Sequence, residues 1–284
     1  MSYIITDDKH YKNIAKSLRS KMQTDREYYP EDMAIAIDNI PSSADGTDNP
    51  VTGIYFLNPN DNGYPTKIKV SGFNLENKET KFPLIFTDNI FKYIEDVEFI
   101  NCNFKYFSDS AFAKSSSLTT INLPDSLTSI SWNAFINCTS LTTINLPSGL
   151  TSIGSGAFQS CTSLTTINLP SGLTSIGMMT FAYCYSLTTI NLPNSLTYID
   201  TGGYGTFTNC ASLEYVTLGN NFNCNNLNLS SSTKYTRETI LQWLNALADR
   251  TGQTAYKLTI GAKNLAKLTE EDILIATNKN WTLA

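Results

Sequence analysis

Residues 118–140 read LTTINLPDSLTSISWNAFINCTS, residues 141–163 read LTTINLPSGLTSIGSGAFQSCTS, and residues 164–186 read LTTINLPSGLTSIGMMTFAYCYS. Each stretch is 23 residues long, and residues 187–212 restate it in 26, with three extra residues within 200–206. Working outward, residues 213–218 (LEYVTL) open another turn that then decays. Upstream, Val97-Glu98-Phe99 and Ser110-Ala111-Phe112 read as a degenerate first turn. A fixed period of this length marks an array in which each unit is one supersecondary turn stacked on the next.

The residues inside one period explain themselves physically. In Leu118-x-x-Ile121-x-Leu123 the apolar positions alternate, as in a strand with one buried face. Pro124 follows and has no N–H to give a neighbouring strand, so it ends the ladder. Asp125-Ser126, or Ser148-Gly149 one period on, suits a turn. Leu127 and Ile130 then point back inside, Ala134 and Phe135 fit a short helical turn, and Cys138 closes the coil. A single coil has no other layer against which to bury these side chains, so the array gains its stability by stacking.

The unit resembles the BspA-like class of bacterial leucine-rich repeats, with the pattern L-x-x-I-x-L-P…L-x-x-I-G…A-F-x-x-C. Leu141, Ile144, Leu146, Pro147, Leu150, Ile153, Gly154, Ala157, Phe158 and Cys161 carry the likeness, with their equivalents one period either side, over about residues 97–218. The chain departs from the better-known leucine-rich repeat, where an Asn follows the strand and caps the coil; Ser126, Gly149 or Gly172 stands there instead. The resemblance implies a leucine-rich-repeat solenoid: a right-handed, β-dominated β/α superhelix with a parallel sheet on its concave face. It names no ligand, because such scaffolds host many binding functions.

The flanks differ in character. Residues 1–41 read as a helical segment, with Tyr11, Ile14, Ala15 and Leu18 on one face and a second piece after Pro30. Residues 42–96 read as a linker and a β-hairpin N-terminal cap, with strands near 53–57 and 67–70 around Asn62-Gly63. The repeats occupy 97–227, and 228–284 read as a small α/β C-terminal cap. In that cap Thr236 precedes a helix over 238–249, a strand covers 257–260, Thr269 starts an acidic helix, and 281–283 is a short strand. The opening stretch KNIAKSLRSK…YYPEDMAIAIDNI resembles N-terminal segments of tail-associated proteins from prophages of gut Firmicutes. The ending LTIGAKNLAKLTEEDILIATNKNWTLA is similar to the tails of repeat proteins from the same source. That resemblance implies a phage or prophage structural or adhesion protein.

Charge and composition narrow the function. A formal net charge of -5 argues against nucleic acid, which needs clustered Lys and Arg. No apolar run has the length of a membrane-spanning helix, and the first residues lack the layout of a signal peptide, so no membrane insertion is expected. Between residues 118 and 212 the only charged side chains are Asp125 and Asp200, with no His, Lys, Arg or Glu. That leaves two separated carboxylates as the only charged groups on the repeats, so no catalytic residue, metal or cofactor is expected there. His10 lies in the N-terminal segment, Asp7-Asp8 and Glu270-Glu271-Asp272 sit at expected helix starts, and Gly202-Gly203-Tyr204-Gly205 lacks a phosphate loop's strand-to-helix context. Cys138, Cys161, Cys184 and Cys210 recur once per coil, so they form a column. A column spreads ligands apart instead of converging them on a metal, which favours reduced, buried small side chains.

Two sets of binding candidates remain. Asn122, Asn145, Asn168 and Asn191 alternate with Thr120, Thr143, Thr166 and Thr189 on the outward side of the strands: either a solvated face or an uncharged hydrogen-bonding surface. The second set breaks the repeat. Trp132 replaces Ser155, Tyr183 and Tyr185 replace Ser160 and Thr162, Tyr198 replaces Ser175, and Tyr204 lies in the insertion. Met178 and Met179 differ as well. Such aromatics either serve recognition or pack against the insertion and the cap. The expectation is a non-enzymatic adhesion protein that recognises a cell-surface glycan or protein, possessed of an extracellular, cell-surface or virion location. The alternative is a structural spacer whose ends join a tail or baseplate.

Overall fold

The structure, a computed structural model, describes residues 53–59, 65–71, 81–82, 93–200 and 205–284. The expected helices of residues 1–41 and the linker after them lie outside the described residues.

Two parallel ladders run along the repeats, and each coil contributes a short strand to each. In the first, β1 (Gly53–Pro59) pairs antiparallel with β2 (Pro65–Ser71), and β2 pairs parallel with β4 (Asp96–Ile100). β4 then pairs with β6 (Thr120–Asn122), and single bridges Asn122–Asn145 and Asn145–Asn168 carry the ladder onward. It continues through β9 (Thr166–Asn168), β11 (Thr189–Leu192) and β13 (Tyr215–Leu218). The second ladder runs β3 (Lys81–Phe82), β5 (Tyr106–Phe107), β7 (Ser129–Ile130), β8 (Ser152–Ile153), β10 (Ser175–Ile176) and β12 (Tyr198–Ile199), all parallel. Between the two ladders the proline carbonyl closes a turn: Leu127, Leu150, Leu173 and Leu196 each donate their N–H to the Pro three residues back.

The third side of the coil corrects one expectation. Ala134 and Phe135 sit in successive turns, not in a helical turn, and no helix occurs in the repeats among the described residues. The reason is local. Asn133 and Asn137 hold positive φ, as do Gly156 and Ser160 in the next coil, and alternating left-handed residues cannot continue a helix. The freed N–H groups turn outward along the array instead: Phe135 donates to the Ala157 carbonyl, Phe158 to Thr180, and Phe181 to Thr206.

Between the three sides lies a continuous apolar core. Phe112, Phe135, Phe158, Phe181 and Phe207 stack one above the next with centroids 5.1 to 5.7 Å apart. Beside them the thiols of Cys138, Cys161, Cys184 and Cys210 each donate to the carbonyl of the Phe in the preceding coil, at 3.0 to 3.2 Å. Where Thr180 replaces the Ala134 and Ala157 of the two preceding coils, its hydroxyl reaches the Gly154 and Gly177 carbonyls, so the added polar group is satisfied within the core.

The C-terminal residues build a second, smaller layer against the last coil. α1 (Arg237–Ala246) is capped by Thr236, buries Ile240, Trp243 and Leu244, and is tied to β13 by the Trp243 indole N–H on the Val216 carbonyl at 2.6 Å. Lys279 donates to the carbonyls of Leu244, Asn245 and Leu247 and so meets the negative end of that helix. β14 (Leu227–Asn228), β15 (Tyr256–Thr259) and β16 (Trp281–Leu283) form a parallel sheet, joined by α2 (Ala262–Leu265) and α3 (Glu270–Thr277). Asp272 completes a capping box with Thr269 and a two-point ion pair with Arg237.

Candidate functional site

Three columns of threonine hydroxyls run along the array and tie coil to coil. Thr165 and Thr188 bond the Thr142 and Thr165 carbonyls; Thr151, Thr174 and Thr197 bond Thr128, Thr151 and Thr174; Thr139 and Thr162 bond Ser116 and Thr139. Tyr185 stands next in the third column, where its ring cannot repeat the short hydroxyl bond. It projects outward at 51% exposure and meets the Tyr183 ring edge-on, with centroids 6.2 Å apart. Tyr183 itself has φ 63°, and Met179 φ 56°, at positions where the coils before them place Ser or Asn and Gly or Asn. Those smaller residue types hold a left-handed backbone more readily than Tyr or Met.

The aromatic candidates do not form one patch. Tyr183 and Tyr185 lie at the corner leading from the third side into the first ladder. Tyr198 lies in β12 of the second ladder, at 57% exposure, and Trp132, also 57% exposed, follows β7 of that ladder, three coils before β12. Tyr204 lies outside the described residues. Tyr215, 58% exposed in β13, continues the outward row of the first ladder, where it replaces the Thr189 of the strand beside it. The Glu214 carboxylate hydrogen-bonds the Tyr215 phenol and raises its pKa.

The asparagine ladder divides in use. Asn122 accepts from the Phe99 N–H at 2.7 Å and donates to its carbonyl at 3.0 Å, replacing a backbone partner. Asn191 accepts from the Thr217 hydroxyl at 2.7 Å. Asn145 and Asn168 are exposed and keep their amides for solvent or a ligand. At the N-terminal end the ladder becomes charged, where Lys67 pairs with Asp96 at 2.8 Å and Glu98 at 3.3 Å. The five buried thiols offer no reactive group: burial pushes Cys138, Cys161 and Cys184 far above the usual range, and Cys210 and Cys224 to about 12. No helix of the described residues is long and apolar enough to cross a membrane.

Short parallel strands, apolar columns and one coil per 23 residues define a leucine-rich-repeat array. Residues 105–234 match the BspA type leucine rich repeat region in six copies. Similar solved structures include the T. pallidum leucine rich repeat protein, 29% identical over 57% of this chain and 68% of that one, TM-score 0.40. A leucine-rich repeat protein from Bacteroides ovatus is 23% identical over 75% of this chain, TM-score 0.41; the match spans 47% of that protein, less than half of its length. A leucine rich cell surface protein from Faecalibacterium prausnitzii is 16% identical over 85% of this chain and 95% of that one, TM-score 0.24. No curated protein matches the chain.

Proposed function

We propose that the chain is a non-enzymatic binding protein of the adhesion type, which recognises a protein or carbohydrate on a cell surface and works outside the cell, on its surface or on a virion. The single observation that carries this is the Tyr183–Tyr185 pair. At Tyr185 the coil gives up a hydroxyl-to-carbonyl bond that its predecessors make, and at Tyr183 it places a large side chain on a left-handed backbone. Neither change serves the coil's own stability. Exposed Tyr and Trp are what recognition surfaces use. The likeness of the flanking segments to prophage tail-associated proteins extends the proposal to a tail-borne adhesin. A spacer that works only through its ends has no use for such residues.

The test labels the full chain with a fluorophore and measures its binding to a panel of bacterial and animal cells. Tyr183→Ala with Tyr185→Ala is expected to lower binding by about tenfold or more, while Asn145→Ala with Asn168→Ala leaves it near wild type. Loss only in the asparagine pair would transfer the site to the first ladder. Absence of binding to every cell type would sink the adhesion reading and leave the spacer.

A further inference from the structure

The second ladder carries a surface that the repeat pattern alone does not announce. Its register aligns Tyr106, Ser129, Ser152, Ser175 and Tyr198 in one row across five strands, and Lys81 of β3 continues the register beyond Tyr106. Each of these residues precedes a buried side chain on its strand, so the row faces outward. A tyrosine therefore stands at each end of a low floor, with exposed Trp132 three residues beyond Ser129 at one end. Four strand spacings of ~4.8 Å separate the two tyrosines by ~19 Å.

The floor is amphipathic and uncharged. The Ser152 hydroxyl donates to Ser129 at 2.8 Å, which leaves lone pairs and the neighbouring hydroxyls available. In the adjoining column the Thr151, Thr174 and Thr197 hydroxyls are bound to backbone carbonyls.

The geometry points to a linear, neutral oligosaccharide lying along this row, its rings crossing the strands and its ends stacked on Tyr198 and on Tyr106 or Trp132. The choice of ligand follows from what the face lacks and what it offers. Anionic polymers require clustered Lys or Arg; from Tyr106 to Tyr198 the row carries neither, and Lys81, in register one strand beyond Tyr106, stands alone. Adding a peptide strand requires an unpaired strand edge, whereas β7, β8 and β10 are paired on both sides. A protein anchor requires a pocket, and serines make a floor. A sugar ring presents hydroxyls at its rim and C–H groups on its face, which suit serine hydroxyls and aromatic faces respectively. This inference deepens the adhesion reading and rests on it, but it uses a different face from the Tyr183–Tyr185 pair.

The experiment titrates the full chain, by calorimetry, with neutral linear tetra- to hexasaccharides chosen from a glycan array that also holds sialylated and sulfated chains. Ser152→Tyr fills the middle of the row and is compatible with folding, because the same column already holds tyrosine at both ends. Ser152→Tyr and Tyr198→Ala are each expected to weaken binding of a neutral glycan by about tenfold or more. Neutral-glycan binding that survives both row variants overturns the assignment, as does a response confined to the sialylated or sulfated chains. If no neutral glycan binds while labelled chain still decorates cells and Ser152→Tyr leaves that decoration intact, the row is not a site, although the adhesion reading stands.

Discussion

The thiol of Cys161 donates to the carbonyl oxygen of Phe135 at 3.2 Å, and the ring of that same Phe135 stacks on Phe158 at 5.4 Å. One residue of each coil is thus held twice by the next, once through its backbone and once through its side chain. The thiol is a small donor that fits a wholly buried position and still satisfies an inward-facing carbonyl, which an alanine would leave with one partner fewer.

Native protein is therefore expected to be nearly inert to thiol reagents. Of the six cysteines only Cys102 is partly exposed, so Ellman titration should find at most one fast-reacting thiol in buffer and six in urea. Rapid native labelling of Cys161 would show that the coil does not close as described. Cys224, which lies outside the column, is buried too and belongs with the slow group.

Phe158→Ala removes the centre of the stacked column. The expected loss is about 3–5 kcal/mol of unfolding free energy, as for a large buried aromatic in a core that cannot collapse around the gap. Urea denaturation followed by circular dichroism checks it. A loss below about 1 kcal/mol is incompatible with a buried ring at this position.

Two glycines separate space from backbone freedom. A methyl on Gly177 would lie against the Ser155 backbone nitrogen, whereas a methyl on Gly149 would find its nearest atom, the Asp125 carbonyl oxygen, at 3.8 Å. Gly177→Ala is expected to cost about 2 kcal/mol or more, and Gly149→Ala to stay within about 0.5 kcal/mol of wild type. Equal thermal midpoints for the two variants would contradict the close approach of successive coils at Gly177.

Acid should weaken the C-terminal layer through Asp272. The Arg237 guanidinium, followed by the Thr269 N–H, holds its carboxyl below the ordinary value. A lowered folded pKa means that the stabilisation is complete above the unfolded value of about 4 and is lost as the pH falls through the folded one. Asp272→Asn should therefore unfold more readily than wild type at pH 7, with the gap narrowing toward pH 2. A gap that stays constant with pH would mean that the ion pair contributes nothing.

The repeating array was legible because its signals are local and redundant. Leu141, Ile144, Leu150, Ile153, Phe158 and Cys161 each recur at one spacing, and the structure buries all of them. The third side was misread at Ala134–Phe135 because a small residue beside an aromatic fits a helical turn; the information lay in Asn133 and Asn137, which tolerate positive φ. Substitutions such as Tyr185 could be seen as departures from the period, but their grouping could not. Tyr198 and Tyr106 share a row only through the strand register, and Asn122 is tied to Phe99 only because the coil before it is irregular. Sequence period reports what is repeated; pairing between coils decides which exceptions are neighbours.

The bonds that replace a helix on the third side also give that side an electrical direction. Ser110, Phe112, Asn133, Phe135, Gly156, Phe158, Phe181 and Tyr183 all donate their N–H groups toward the following coil. Their peptide dipoles point the same way along the axis, so on this side each coil adds to a field whose positive end faces the C-terminal coil and whose negative end faces the N-terminal one, opposite to the N–H groups of Thr151, Gly154 and Thr174, which donate to the preceding coil. This is the summation that makes a helix macrodipole, here built across coils instead of along a continuous turn. A charged molecule approaching the two ends of this side would meet opposite partial charges, even though the coils between them carry almost no charged side chains.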